Sequence, residues 1–332
     1  MTSREQDRPD DCPGGGRRLG PGREFDRILR LAAQLGPLAA EIGDDCAAVP
    51  EGEGQLVVSV DLSVEGVHFR RDWLTPEEIG WRATAAALSD LAADGARPTG
   101  VLTSIGLPRA APQSDLLALA SGIGAAVQDA GARLLGGDLT ASEQWVIDVT
   151  VLGHAPRRVT RDGAGPGDSL WVTGSLGGAR AALHAWQQGR APLPEAREAF
   201  AHPVPRWQAG LALAAAGATA MIDLSDGLGG DAGHLAAASA CALVIELERL
   251  PVAPVALAMA GPEEASSFAA AGGEDYELLV AMPPGFTGSH AAALAAAVGV
   301  SLTLIGWVEA GVGARLLRGG APVSLPGFDH FA

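Results

Sequence analysis

The sequence predicts a two-domain α/β protein, and three observations carry that expectation. β-Branched runs alternate with alanine-rich helical runs along the chain beyond residue 24. A Gly- and Pro-rich stretch, "RRVTRDGAGPGDSLWV", interrupts the alternation near its middle. The 332 residues, 48% of them hydrophobic, suffice for about two domains with real cores.

In the first half, residues 55–61, "QLVVSVD", read as a β-branched strand. A helix follows in "TPEEIGWRATAAALSDLAADGARP": Thr75 is its N-cap, Pro76 stands at N1, Glu78 completes a capping box and Gly95 ends it. Next come a strand at 100–106, a helix at 114–130 stopped by Gly131, a short strand to Leu135 and a strand at 145–152. Residues 25–153 are therefore expected to form one domain; residues 1–24, polar and without a signal-peptide apolar core, are expected to be a disordered tail. Residues 154–332 form the second domain. A strand at 169–173 meets "GSLGG" and a helix; a helix at 205–216, a strand at 219–223, a helix at 229–239 and a strand at 241–247 follow. "GGEDYELLVAM" leads into a strand, and an alanine-rich helix, a strand at 301–308 and a Gly-Gly hairpin complete the order.

Composition excludes several functions. The net charge of −16 argues against nucleic acid, whose phosphates need basic patches. No run approaches ~18 strongly apolar residues, so no membrane span is expected. Cys12, Cys46 and Cys241 form no CxxC pair, which suits a reduced cytoplasm. All 23 basic residues are arginine, so a Walker A loop, a Schiff-base lysine and a protein-kinase-type lysine are ruled out. Phosphate, if bound, must be met by metal, backbone N–H groups and arginine.

Five stretches deliver Asp to a turn from an apolar strand or helix: "IGDDCA" (Asp44, Asp45), "VVSVDLSVEGVHF" (Asp61), "ALSDLAADGA" (Asp90, Asp94), "LLGGDLT" (Asp138) and "IDLSDG" (Asp223, Asp226). Asp and Gly also form loops with no further purpose. Two details favour chemistry. Asp90 falls late in an alanine-rich helix, where the macrodipole disfavours an anion. Asp61 is expected to end its strand, on the face of Val57 and Ser59, and so to point from the sheet's rim, where α/β proteins gather ligands. Carboxylates converging without lysine need a hard cation, Mg²⁺ or Ca²⁺, and Mg²⁺ is commonly shared with substrate phosphates. Gly136-Gly137-Asp138, taken to follow a strand directly, offers backbone N–H groups to a phosphate. Arg161 lies at the domain junction as a phosphate ligand or a plain surface arginine, and "TGSLGGARAAL" as an anion site or a packing turn. His68 is the histidine singled out, though a lone histidine is often structural. Neither zinc spacing nor a GxSxG elbow occurs.

In order, "IGDDCA", "SVDLSVEGVHF", "LSDLAADGARP", "GGDLT", "RDGAGPGD", "IDLSDGL", "GGEDYELL" and "GFDHF" resemble the thiamine-monophosphate kinases, within the ATP-dependent aminoimidazole-ribonucleotide synthetase-like superfamily, over residues 42–331. The resemblance implies that superfamily's two-domain α/β (α+β) fold. Its N-terminal half would be ferredoxin-like and supply the sheet of a homodimer; its C-terminal half would be an α/β domain. It implies ATP as co-substrate, several Mg²⁺ ions, and phosphorylation of thiamine phosphate to thiamine diphosphate. By its motifs the metal ligands would be Asp45, Asp61, Asp90, Asp138, Asp223 and Asp226, with Ser59 and Val60 assisting; Asp138 and Asp226 would be the catalytic carboxylates. ATP would meet Gly137, Asp138, Arg161 and Ser225, and thiamine would meet His68, Glu274 and Phe328. Val60 stands where the family often has Thr, so a contact there must use the backbone carbonyl, and Phe328 keeps the aromatic ring without a phenol.

The chemistry suits this inventory. A phosphate monoester with a second pKa near ~6 is largely a dianion at neutral pH and needs no general base. It needs charge neutralisation and in-line alignment with the donor. Among rivals, a selenophosphate synthetase resembles chains with a reactive N-terminal Cys and a Lys, and the hydrogenase-maturation type ends in a catalytic Cys; this chain ends "DHFA". A Ca²⁺-stabilised binding module would pack its ligands within about 12 residues, not across the chain.

Overall fold

A computed structural model describes residues 23–39 and 49–324. The expectations placed on Cys12, Asp44, Asp45, Cys46 and Phe328 lie outside the described residues. The chain enters with α1 (Arg23–Leu35), a helix the sequence reading did not assign. The first sheet is built from β1 (Gln55–Val64), α2 (Pro76–Ala93), β2 (Arg97–Leu107), α3 (Gln113–Asp129), β3 (Arg133–Ala141) and β4 (Val146–Ala155). Its strand order is β1-β4-β2-β3, antiparallel except for β2 with β3.

Alternation decides the two faces. Val57, Val101, Ile105, Ile147, Val149 and Val151 point inward and are buried in one cluster with Leu88 and Leu91 of α2 and Leu119, Ile123 and Val127 of α3. The opposite face of β1 exposes Leu56 (49%), Val58 (65%), Val60 (60%) and Leu62 (47%). The Thr75 capping box is present as its sequence requires. α2 and α3 approach closely because Gly80 and Gly122 lie between them. A Cβ on Gly122 would stand 1.8 Å from the Glu77 carbonyl oxygen, and one on Gly80 would stand 2.1 Å from that of Leu119.

The second half runs β5 (Ser169–Thr173), α4 (Gly178–Gln187), α5 (Pro194–Ala201), α6 (Trp207–Ala215), β6 (Ala220–Asp223), α7 (Leu228–Ala238), β7 (Ala242–Glu246), α8 (Pro254–Ala271), β8 (Leu278–Met282), α9 (Gly288–Val298), β9 (Leu302–Glu309), β10 (Gly313–Arg318) and β11 (Ala321–Val323). The sheet order is β11-β10-β7-β9-β5-β8-β6, parallel only between β10 and β7. Leu228 and Leu235 of α7 cover one face, and Leu213 of α6 and Ala291 of α9 belong to the cluster on the other. The reading missed α5 and α8. Gly261-Pro262 reads as a turn, but only Gly261 leaves helical geometry (φ 75°), and the helix resumes.

The two halves share apolar contacts. Ala179, Phe200 and Phe268, from α4, α5 and α8, join the first sheet's cluster, while Ala92 and Ala93 of α2 join that of α6. α2 is thus wedged between the halves, carrying Asp90 with it.

Candidate active site

A cleft of about 1040 Å³ opens between the halves, and Asp61, Asp90, Asp223 and Asp226 all line it, with His68, Ser225 and Glu274. The elements explain the convergence. β1 is an edge strand, and its inner face turns Ser59, Asp61 and Ser63 toward α2. The expectation that Asp61 ends its strand is corrected: β1 continues to Val64, and Asp61 reaches the rim because β1 lies at the sheet's edge. Asp90 comes from the last turn of α2 and accepts a 2.5 Å hydrogen bond from the Ser59 hydroxyl. Asp223 is the last residue of β6, and the loop after it presents Ser225 and Asp226 before α7 begins. The Asp231 carboxylate accepts the backbone N–H groups of Asp226 (3.2 Å) and Gly227 (3.1 Å), which pins that loop.

These carboxylates sit where protons are hard to lose. Burial, then the Asp90 and Glu274 charges, pushes Asp61 up to about 6. Burial, then Asp90, raises Asp223 to about 7. Burial, then Asp223 and Asp226, raises Asp231 to about 8. Asp90 is raised by burial, against the Ser59 hydrogen bond and the Arg161 charge. For Asp61, Asp90 and Asp223 the arginines Arg82 and Arg161 only partly offset the cost of burial. Among the described residues no three of the Asp, Glu, His or Cys side chains close into a shell able to hold a metal. An all-oxygen, partial donor set of this kind suits Mg²⁺, which keeps several waters and completes its octahedron with substrate phosphate.

A second cleft, about 400 Å³, lies on the other side of Asp90 and is lined by Ser59, Asp94, Arg158, Thr160 and Arg161. Asp90 lines both clefts. Arg158 is held by Asp94 through its Nε at 2.8 Å. Arg161 is thus brought within electrostatic reach of Asp90 and Asp223, both of which it lowers.

Other expected residues lie elsewhere. Gly136, Gly137 and Asp138 do not follow a strand; they lie inside β3, and the reading's short strand runs on to Ala141. Asp138 is exposed and registers through Ser104 and Asp148 with Leu62, on the sheet's outer face at the edge opposite β1. With Gly137 it borders a small apolar pocket beneath α1, not the acidic cleft. Val60 lines the acidic cleft, but its side chain is among the exposed row. His68 lines the cleft, and its Nδ1 accepts the Val64 N–H at 3.1 Å.

Several residues in or behind the cleft walls escaped the sequence reading. A groove of about 910 Å³ shares Val67, His68, Leu183, Phe200 and Glu274 with the main cleft and adds Trp73 and Trp186, stacked at 5.1 Å. The guanidinium of Arg82, buried in α2, pairs with Glu274. Tyr276 also lines the cleft. The usable signals were an arginine inside an alanine-rich helix and a chain with one tyrosine.

Comparison with known proteins bears on this geometry. The models of the AIR synthase related protein N-terminal and C-terminal domains match residues 43–155 and 165–317. The thiamine-monophosphate kinase of Escherichia coli K12 is 37% identical over 324 residues, covering 93% of this chain and 96% of that protein. That of Mycobacterium tuberculosis H37Rv is 37% identical over 270 residues, covering 79% and 80%. The chain belongs to the thiamine-monophosphate kinase family. A crystal structure of the Stenotrophomonas maltophilia K279a member superposes with a TM-score of 0.80 at 34% identity, covering 91% of this chain and 98% of that one. A structure described as AaThiL complexed with AMPPCP and TMP gives 0.76 at 32%, covering 93% and 97%. The hydrogenase maturation protein HypE in complex with ATP reaches 0.76 at only 19% identity, a likeness of fold alone.

Proposed function

We propose that this chain transfers the terminal phosphoryl group of ATP directly to thiamine phosphate, giving thiamine diphosphate. One observation carries the reading: Asp61, Asp90, Asp223 and Asp226 converge, in a lysine-free chain, where an arginine-lined cleft meets a larger one. ATP phosphates enter on the side of Arg161 and extend past Asp90 to Ser225 in the larger cleft, and thiamine phosphate occupies the rest of that cleft beside His68 and Glu274. Phe328 belongs to the same acceptor proposal.

The chain's residues then divide the work. The acceptor is largely a dianion at neutral pH, its second pKa being near ~6, so no side chain need remove a proton. The difficulty is bringing two polyanions together. Asp61, Asp90, Asp223 and Asp226 would hold Mg²⁺, which would supply neutralising charge; Asp226 serves among these as a catalytic carboxylate. Arg161 adds positive charge on the donor side and offers a bidentate fork to phosphate. Asp231 holds the Ser225–Asp226 loop still. Asp61, Asp90 and Asp223 face inward from β1, α2 and β6, and Asp226 from the pinned loop after β6, which keeps donor and acceptor aligned for in-line transfer.

The same proposal takes residues 25–153 and 154–332 as the working units and a homodimer as the assembly. The exposed row Leu56, Val58, Val60 and Leu62 is an apolar face of the kind that marks an interface. Gly137 and Asp138 share that sheet, so any role in binding ATP or metal has to be compatible with its covering. We place the enzyme in the cytoplasm; among the described residues no helix is long and apolar enough to cross a membrane.

The test is direct. Incubation with ATP, Mg²⁺ and thiamine phosphate should yield thiamine diphosphate and ADP in equal amounts. ADP without thiamine diphosphate, or no product at all, would refute the reading.

A further inference from the structure

Arg82 is 4% exposed, a buried charge for which the phosphoryl transfer just described has no use. Its guanidinium donates to the Phe200 carbonyl, pairs with Glu274 Oε2, and lies over the Phe200 ring with 3.8 Å to the centroid. The Tyr276 hydroxyl donates to the same Glu274 oxygen at 2.7 Å, and its ring centroid is 6.0 Å from the Arg82 guanidinium. Both donors engage Oε2, so Oε1 is the oxygen a ligand in the cleft would meet.

The backbone around this pair is also constrained. Glu274 and Tyr276 have φ of 74° and 50°, left-handed values that side chains other than glycine adopt under constraint. Glu274 N–H donates to Ser225 O at 2.8 Å and Tyr276 N–H to Leu224 O at 2.9 Å. Gly273 is needed for the approach, since a Cβ there would stand 2.3 Å from Ser225 O. Arg82 therefore ties α2, which carries Asp90, to the loop that is stitched onto the Asp223–Asp226 turn. A buried ion pair is a poor device for stability alone, because apolar residues of similar volume serve as well. This one keeps its carboxylate partner 26% exposed on the cleft wall.

We propose that Arg82 is a positioning residue for the acceptor: with Tyr276 it aims Glu274 so that Oε1 accepts a hydrogen bond from an N–H or cationic group of the substrate. The proposal rests on the reading that the larger cleft takes thiamine phosphate. Arg82 itself touches no substrate; it acts through Glu274.

Steady-state kinetics on Arg82→Met, Arg82→Lys, Glu274→Gln and the double variant Arg82→Met/Glu274→Gln test it, with thermal melts alongside. Arg82→Met should raise the thiamine phosphate KM about tenfold or more, the scale of a hydrogen bond to a charged group, while the ATP KM stays within about twofold. Arg82→Lys, which keeps the charge but loses the planar fork, should fall between. In the Glu274→Gln background, removing Arg82 should change the acceptor KM little, since no carboxylate is left to aim. Tyr276→Phe, a milder change, should act in the same direction and vanish in the same background; it carries the test if Arg82→Met does not fold. An unchanged acceptor KM, equal shifts in both KM values, or effects that multiply in the double variant would overturn the assignment and leave a structural arginine. Wild-type protein inactive on thiamine phosphate would instead overturn the functional reading, and the assignment with it.

Discussion

At the scale of single residues, the acidic cleft holds its carboxylates against burial and mutual repulsion. Asp223 is 4% exposed and held near 7 by burial and by Asp90. Asp223→Asn should therefore abolish turnover yet leave the melting temperature equal or higher, because a repelling, poorly solvated carboxylate has been removed. Asp61→Asn should behave the same way. Retention of more than about a tenth of wild-type kcat at saturating Mg²⁺ would mean that the carboxylate supplies less than ~1.4 kcal/mol of barrier lowering, and the ligand assignment would fail. Arg161→Ala is expected to weaken ATP binding by about 1.5–3 kcal/mol, the value of a charged hydrogen bond, with thiamine phosphate binding unaltered; unaltered ATP kinetics would make it a surface residue. Asp138→Asn separates two views of β3, since loss of activity would show that a carboxylate distant from the cleft in one chain still belongs to the reaction.

Among elements, α2 bears the most. It caps itself through Thr75 and Glu78, carries Arg82 and Asp90, and packs on both halves of the molecule. Its seat depends on glycine. Gly122→Ala in α3 would drive a methyl to 1.8 Å from the Glu77 carbonyl, a backbone atom that cannot swing aside. We expect a loss of about 1–3 kcal/mol or more, the scale of overpacking, read by denaturant titration. Because α2 must shift to relieve the clash, kcat should fall alongside stability. A stable variant with full activity would show that the two helices part without moving Asp90.

For the whole molecule, the titration of the cleft contributes to how stability depends on pH. Asp61 and Asp223, at about 6 and about 7 when folded, lie above the ordinary unfolded value of about 3.9. The folded state thus binds more protons in that window. Their contribution is fully present below about pH 4 and is lost as pH rises through 6 and 7. With a chelator present, this share of the melting temperature should decline from pH 5 to pH 8. Mg²⁺ should restore it increasingly over the same range, because the cation takes the place of the proton. A Mg²⁺ effect that is independent of pH would contradict this linkage. The exposed row on β1 makes a second prediction at this scale. Val58→Lys should convert a dimer to a monomer in sedimentation, and a wild type already monomeric at micromolar concentration would remove the assembly proposal.

Much of the molecule was settled by local chemistry that sequence carries openly. The α2 cap, the β5 strand, the Gly-Gly hairpin and the Asp223–Asp226 turn depend on side chains adjacent along the chain, so their residue types suffice to place them. The acidic motifs, taken in order, likewise announced a family. Tertiary structure decided what depends on neighbours distant in sequence. It extended β1 past Asp61, because pairing with β4 continues to Val64 opposite Val146. It placed Asp138 on an exposed sheet face, because a strand's register and not its motif sets the direction of a side chain. It alone joined Arg82 to Glu274 and Tyr276, nearly two hundred positions apart in the chain, because burying a guanidinium requires partners that only the packed interior can supply.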